Sequence, residues 1–360
     1  MLLSHVRRHG PPLTLVVLAL MACAAMSCAL AQPMVGPLRA NNPQVAQQAF
    51  DRYVRQGRAG SGNPNPVELL IKAQANGLPG NSANVKRTIQ LLNAKPPEDE
   101  HIQLVGLLGS LYDSAHPQAQ QNPVVARELL QQFNSSKQAV ARAALLAYSR
   151  CGYRPDVRAT LEQGLHRGLI SEDEMAQELA IGVLVEPPHL QAETIARLDQ
   201  LNRPFGNEVL AVVLSDPATV ARLPPPSRGT VLKLFLRNEP VWPMAIGSFG
   251  LMDAFRYVDW LHAVALLQQE SGGPDYAATV IRRLRDTQID PRKTLSYLRS
   301  DRARTLLSVP ANAVALRGPA ERAVAFAQQF PDHPTLASAA KDVTDAFLRT
   351  GVRLTPGEGN

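Results

Sequence analysis

The chain is poor in several things that would announce a chemistry. Three cysteines, Cys23, Cys28 and Cys151, stand in 360 residues, and only 5% of residues are aromatic and 19% charged. No C-x-x-C pair, no H-E-x-x-H and no Asp-rich calcium loop occurs, so nothing sets thiolates, imidazoles or carboxylates at metal-ligand spacing. Neither a metal nor a cofactor is expected. Gly106-Leu-Leu-Gly109 lies in an apolar run without a phosphate-loop lysine, and Gly247-Ser248-Phe249-Gly250 is one residue short of a nucleophile elbow.

The histidines after residue 31 (His101, His116, His166, His189, His262 and His333) stand singly. Only His262 falls in an apolar helical pattern, with Asp259 as the one carboxylate a turn away. It reads as a core or groove histidine rather than an acid–base group. Strand signals are scarce too, with Val209 to Leu214 the one short run that fits either a strand or a helix.

Other features are plentiful. Hydrophobic residues make up 45% of the chain, enough for a folded core. Residues 1–31 contain no acid, carry Arg7 and Arg8, run apolar from Leu13 and end Ala29-Leu30-Ala31, which is the make-up of a secretory signal peptide. Two other readings of this segment stay open: an uncleaved anchor over 13–31, or lipidation at Cys23 in Leu20-Met21-Ala22-Cys23. After cleavage at Gln32 one thiol, Cys151, is left, so no intrachain disulfide forms and burial alone must hold the fold. Residues 32–66, rich in Asn, Gln, Pro and Gly, read as a flexible tether interrupted by one helix over Pro43 to Arg55.

From 67 to 350 the pattern is helical. Val125, Leu129 and Phe133 fall at i, i+4 and i+8, as do Val157, Leu161 and Leu165, while Leu336, Ala340, Val343 and Phe347 line one stripe. Ser171-Glu-Asp-Glu174 spells a capping box, and Asn122-Pro123, Asp216-Pro217 and Asp290-Pro291 each place a cap before a proline at the first helical position. Thr350-Gly351 closes the last helix, and 351–360 reads as a disordered tail. The fold class is therefore all-α, an irregular helical-hairpin array following the signal peptide and tether, with a subdivision suggested near 187–230.

Asn122-Pro-Val-Val-Ala-Arg-Glu-Leu-Leu and Arg154-Pro-Asp-Val-Arg-Ala-Thr-Leu-Glu share proline, valine and leucine places, with an Ala-rich helix from Lys137 to Arg150 between them. This stretch, from Asn81 to Leu184, resembles HEAT-like α-solenoid repeats. Ala320-Glu-Arg-Ala-Val-Ala-Phe-Ala-Gln-Gln-Phe330 with its turn proline is similar to a tetratricopeptide hairpin. The resemblance implies stacked helices that offer a concave surface for binding.

Two concentrations point to a surface that binds. Trp242, Phe249, Phe255, Tyr257 and Trp260 put five aromatics into nineteen residues. Arg282, Arg283, Arg285, Arg292, Lys293, Arg299, Arg302 and Arg304 set eight bases against three acids. The candidate binding residues are Arg282, Arg283, Arg285, Arg292, Lys293, Trp242, Tyr257 and Trp260, facing a protein partner or an anionic ligand. Nucleic acid is excluded as a partner, because the protein is expected to be exported and no aromatic ladder interleaves the bases. A membrane enters only through Cys23 or residues 13–31.

The function expected is an exported scaffold or adaptor, periplasmic or extracellular, with no catalytic residues. Its rivals are an α-helical hydrolase or lyase whose site is assembled by the fold, and a structural subunit of an envelope assembly.

Overall fold

The computed structural model describes residues 42–56, 65–114, 123–150, 156–184, 186–240 and 251–355. The signal peptide, Cys151, Trp242 and Phe249 lie outside them. Eighteen helices and no strand occur among the described residues, so the protein is all-α. Ten of the eighteen begin at a proline. This accounts for much of the chain's proline content, since the first helical position needs no N–H and suits the fixed φ of the ring. The chain forms two compact units, Met1–Glu128 and Leu129–Asn360. The division falls inside a helix at 123–133, and residues 187–230 belong wholly to the second unit.

In the first unit, α1 (Pro43–Gln56) pairs with α2 (Pro66–Ala75), and both α2 and α3 (Ser82–Asn93) pack on α4 (Glu98–Ser114). The helix expected within the tether is a core element. It buries Ala46, Ala49, Phe50 and Tyr53 along one face, and the Tyr53 hydroxyl donates to Glu100 at 2.8 Å. The buried Asn84 amide donates to Gln47 Oε1 at 2.9 Å and to the Pro79 carbonyl at 3.0 Å, tying α3 to α1. Asn76-Gly77 closes α2, with Gly77 in the left-handed region at φ 73.

The second unit takes in the end of α5 (Pro123–Phe133) and then α6 (Gln138–Ser149), α7 (Val157–His166), α8 (Glu172–Gly182), α9 (Pro188–Leu201), α10 (Pro204–Val213), α11 (Pro217–Arg222), α12 (Pro225–Arg237), α13 (Leu251–Glu270), α14 (Tyr276–Arg285), α15 (Pro291–Arg299), α16 (Asp301–Leu307), α17 (Pro310–Gln328) and α18 (Pro334–Arg349). Each helix packs mainly on helices one to three places along the chain. The ambiguous run 209–214 is helical, within α10 and its cap. The start signals act as read: Ser171 and Glu174 form a reciprocal capping box, Asp216 accepts from the Ala218 and Thr219 amides, and Asp290 accepts from the Arg292 amide.

Helices α8 and α10 approach so closely that a Cβ on Gly206 would stand 2.5 Å from Ala176 Cβ. Glycine is required there by contact rather than by backbone conformation. The expected tail begins ordered, because the Thr355 amide donates to Glu321 on α17 at 3.0 Å.

Helix α13 is the hub. It packs on α10, α11, α12, α14 and α15, and Tyr257, Val258, Trp260, Leu261, Ala263, Val264, Ala265, Leu266 and Leu267 are all buried. A helix apolar on most sides has to lie inside the fold, and each large side chain so buried contributes about 1.5–3 kcal/mol.

Candidate binding surface

Side chains from opposite faces of α13 build two distinct clusters. On the first face Tyr257 and Trp260 are one turn apart, stacked with ring centroids 5.6 Å apart. The Trp260 indole N–H donates to the Phe235 carbonyl at 3.1 Å. The Arg283 guanidinium lies 5.7 Å from the centroid of the Trp260 ring, and Lys293 Nζ lies 5.2 Å from that of Tyr257, distances within the range of cation–π attraction. One carboxylate serves both cations: Glu239, just past α12, accepts from Arg283 Nη2 and from Lys293 Nζ at 2.7 Å. Burial, partly opposed by Asp290, holds the Lys293 ammonium below the usual lysine range. Four of the predicted residues (Tyr257, Trp260, Arg283 and Lys293) thus come together on an acid that sequence reading did not select.

Beside this cluster runs a groove of about 330 Å³. One wall is a stripe of α13 (Trp260, Leu261, Val264, Gln268), and the other is a stripe of α14 (Thr279, Arg282, Arg283) continuing to Asp286; Leu236 closes one side. Gln268 Oε1 accepts from both Thr279 Oγ1 at 2.8 Å and Arg282 Nη2 at 3.2 Å. Two predicted residues do not line the groove itself. Arg292 is 7% exposed and turns back on Asp290, with Nη2 to Oδ2 at 2.5 Å. Arg285 is exposed near the end of α14 and does not line the groove.

The basic stretch is less cationic at its surface than its composition suggests. Arg283 and Lys293 share Glu239, Arg292 pairs with Asp290, Arg299 with Asp342, Arg302 with Asp259 and Arg304 with Asp301. Among the described residues, Arg282 and Arg285 alone of the eight have no carboxylate partner. Three of the partner acids lie more than forty residues away in sequence, so local charge counting misses them. The arginines in the last turn of α14 also complement the partial negative charge of the helix end.

The second face of α13 carries Asp259 and His262. The His262 Nε2 lies 3.0 Å from the Ser215 carbonyl, and Nδ1 lies 2.8 Å from the Tyr276 hydroxyl, which lies 2.6 Å from the Tyr297 hydroxyl. A carbonyl only accepts, so Nε2 carries the proton, and the remaining bonds then run in one direction. Tyr297 donates to Tyr276, and Tyr276 donates to Nδ1. Burial and the nearby Arg302 charge push the His262 pKa down to about 4, against the opposing Ser215 bond. Burial raises the Tyr297 hydroxyl well above the usual tyrosine range. Asp259 turns instead to Arg302, at 2.5 Å. A second cavity, about 320 Å³, is lined by Tyr276, Arg302, Gln269 and Asn312 among others.

Neither cavity is lined by a histidine, and among the described residues no group of three or more His, Cys, Asp or Glu could hold a metal ion. No helix among the described residues is long and apolar enough to cross a membrane. No family model matches the chain, and no curated protein or solved structure is similar to it at a significant level.

Proposed function

We propose that this chain is an exported helical scaffold or adaptor, periplasmic or extracellular, that binds a protein partner through its helical surface. The observation that carries the reading is the groove beside α13 and α14, where the exposed Leu236 stands with Arg282 and Arg283 over the buried Trp260, Leu261 and Val264. An apolar contact flanked by polar groups is the usual anatomy of a recognition site. The preference for packing on near neighbours in sequence supports a repeat-like array, HEAT-like over 81–184 and tetratricopeptide-like at α17 and α18.

Affinity capture of the mature protein from its native envelope tests the role. One partner recovered in constant proportion, and lost when Leu236 is replaced by Asp, is the expected outcome. N-terminal sequencing of the recovered chain tests export: a start at Gln32 is expected, and a retained Met1 contradicts it. Radioactive palmitate incorporated at Cys23 would replace a free exported form with an anchored one.

The structural-subunit reading draws support from Val309, Val314 and Leu348, which are exposed on or beside the last two helices. A homogeneous multimer without a second protein would favour it. The hydrolase or lyase reading draws on the His262–Tyr276–Tyr297 chain, and turnover lost in Tyr276→Phe would favour that one.

A further inference from the structure

We infer that the groove between α13 and α14 takes an acidic peptide segment carrying a large apolar side chain. This rests on the binding role proposed above and names the chemistry of the partner.

Arg282 is exposed, and its one hydrogen bond goes to a neutral amide, Gln268, so its full charge faces solvent at the rim. Arg285 follows at i+3, on the neighbouring part of the same helix surface, without a carboxylate partner. Arg322 of α17 reaches the end of the same helix, with Nη2 3.4 Å from the Arg285 carbonyl, and among the described residues it too has no carboxylate partner. Arg283 itself is engaged inward, its Nη2 taken by Glu239 and its Nε buried.

The apolar half of the recognition lies in the same trough. Leu236, 54% exposed, supplies the accessible apolar surface, while Leu261 and Val264 are buried behind it. A volume of about 330 Å³ is at the low end of ligand sites, which run from roughly 300 to 1,000 Å³. It suits a side chain and its neighbours rather than a dinucleotide.

The same charge tally argues against a membrane surface. Lipid-binding patches gather about 4–8 bases, whereas here Arg282 on the groove, Arg285 at the end of its helix and Arg322 reaching that end are three guanidinium groups without carboxylates among the described residues, with Asp286 lining the groove. Few charges beside a trough suit a segment whose acids flank an apolar anchor, each arginine meeting a carboxylate in a charge-assisted pair.

The test uses the mature full chain and a labelled, amidated twelve-residue peptide of Glu and Leu, followed by fluorescence anisotropy at two salt concentrations. The wild type is expected to bind this peptide, more weakly at high salt, and at least tenfold more tightly than a Glu/Ser peptide of equal charge. R282A/R285A is expected to lose at least tenfold, and R282E/R285E to prefer a Lys/Leu peptide. Both substituted positions are exposed surface sites, and circular dichroism checks that each variant keeps its helix content.

Unchanged affinity in R282A/R285A overturns the assignment. So does the absence of peptide binding, or binding to anionic phosphatidylglycerol vesicles with none to peptide. If the peptide fails while the captured envelope partner is retained by R282A/R285A, the acidic-segment assignment falls and the binding role stands. If capture fails as well, both fall.

Discussion

Two faces of one helix, α13, handle buried polarity differently: both carry an ion pair, Asp259 meeting Arg302 on the second, but only the second holds a neutral imidazole chain. On the Tyr257–Trp260 face, full charges are brought in and cancelled: two cations lie over aromatic rings and share Glu239. On the Asp259–His262 face the imidazole is kept neutral and held in a one-way chain of hydroxyls ending on a carbonyl. The first arrangement is paid for by desolvating ions, and it is sensitive to charge and salt. The second gains from fixed donors and acceptors, and it is sensitive to protonation. The lesson is that α13 is both the core of the second unit and the support for its surface, so the two faces are expected to fail under different stresses.

The largest effect should come from removing the aromatic that both supports and shapes the first face. Trp260→Ala takes away a buried ring and its N–H donor to Phe235. It is expected to cost about 3–5 kcal/mol in urea unfolding and to abolish partner capture. A loss below 1 kcal/mol would mean that this face is not tightly packed.

Acid should separate the faces next. The folded pKa of His262, at about 4, lies below the unfolded value of 6.5, so the unfolded chain binds the extra proton first. Its contribution is fully present above pH 6.5 and is lost as pH falls from 6.5 towards 4, with about 1–2 kcal/mol at stake once partial exposure is allowed for. Protonation would also force Nδ1 to donate, reversing the chain and leaving Tyr297 without an acceptor. His262→Gln keeps one donor and one acceptor without titrating. Subtracting its stability profile from that of the wild type should isolate this slope, and a flat difference would contradict the arrangement.

A smaller effect, confined to the charged face, is expected from Glu239→Gln. Arg283 and Lys293 then repel without a shared anion, at a cost of about 1 kcal/mol at low salt that shrinks as salt rises. If the cost did not depend on salt, the cancellation picture would be wrong. The smallest effect sets the baseline. Arg304→Ala breaks a pair exposed on both sides and should change stability by less than about 0.5 kcal/mol.

What could be read from the sequence was local. The caps at Ser171, Asp216 and Asp290 and the stripe Leu336, Ala340, Val343, Phe347 were legible because a hydroxyl, a carboxylate or a 3.6-residue period acts within a turn or two. Tyr257, Trp260, Arg283 and Lys293 were legible as concentrations. Glu239, which joins the two cations, was not, since it reaches Arg283 and Lys293 across 44 and 54 residues. The same distance hid the neutralisation of the basic stretch by Asp259 and Asp342, which a count of eight bases against three nearby acids does not include. His262 looked solitary because its partners are a backbone carbonyl and two tyrosines from other helices, none of which leaves a spacing signature. Gly206 was silent for a related reason: only the approach of Ala176 on α8 shows why a side chain there is excluded.

The most direct test of the central claim is hydrogen exchange read by mass spectrometry on the mature protein, alone and with its captured partner. If the groove beside α13 and α14 is the recognition surface, new protection concentrates over residues 257–286. Protection confined to the first unit, or to α17 and α18, would contradict that placement.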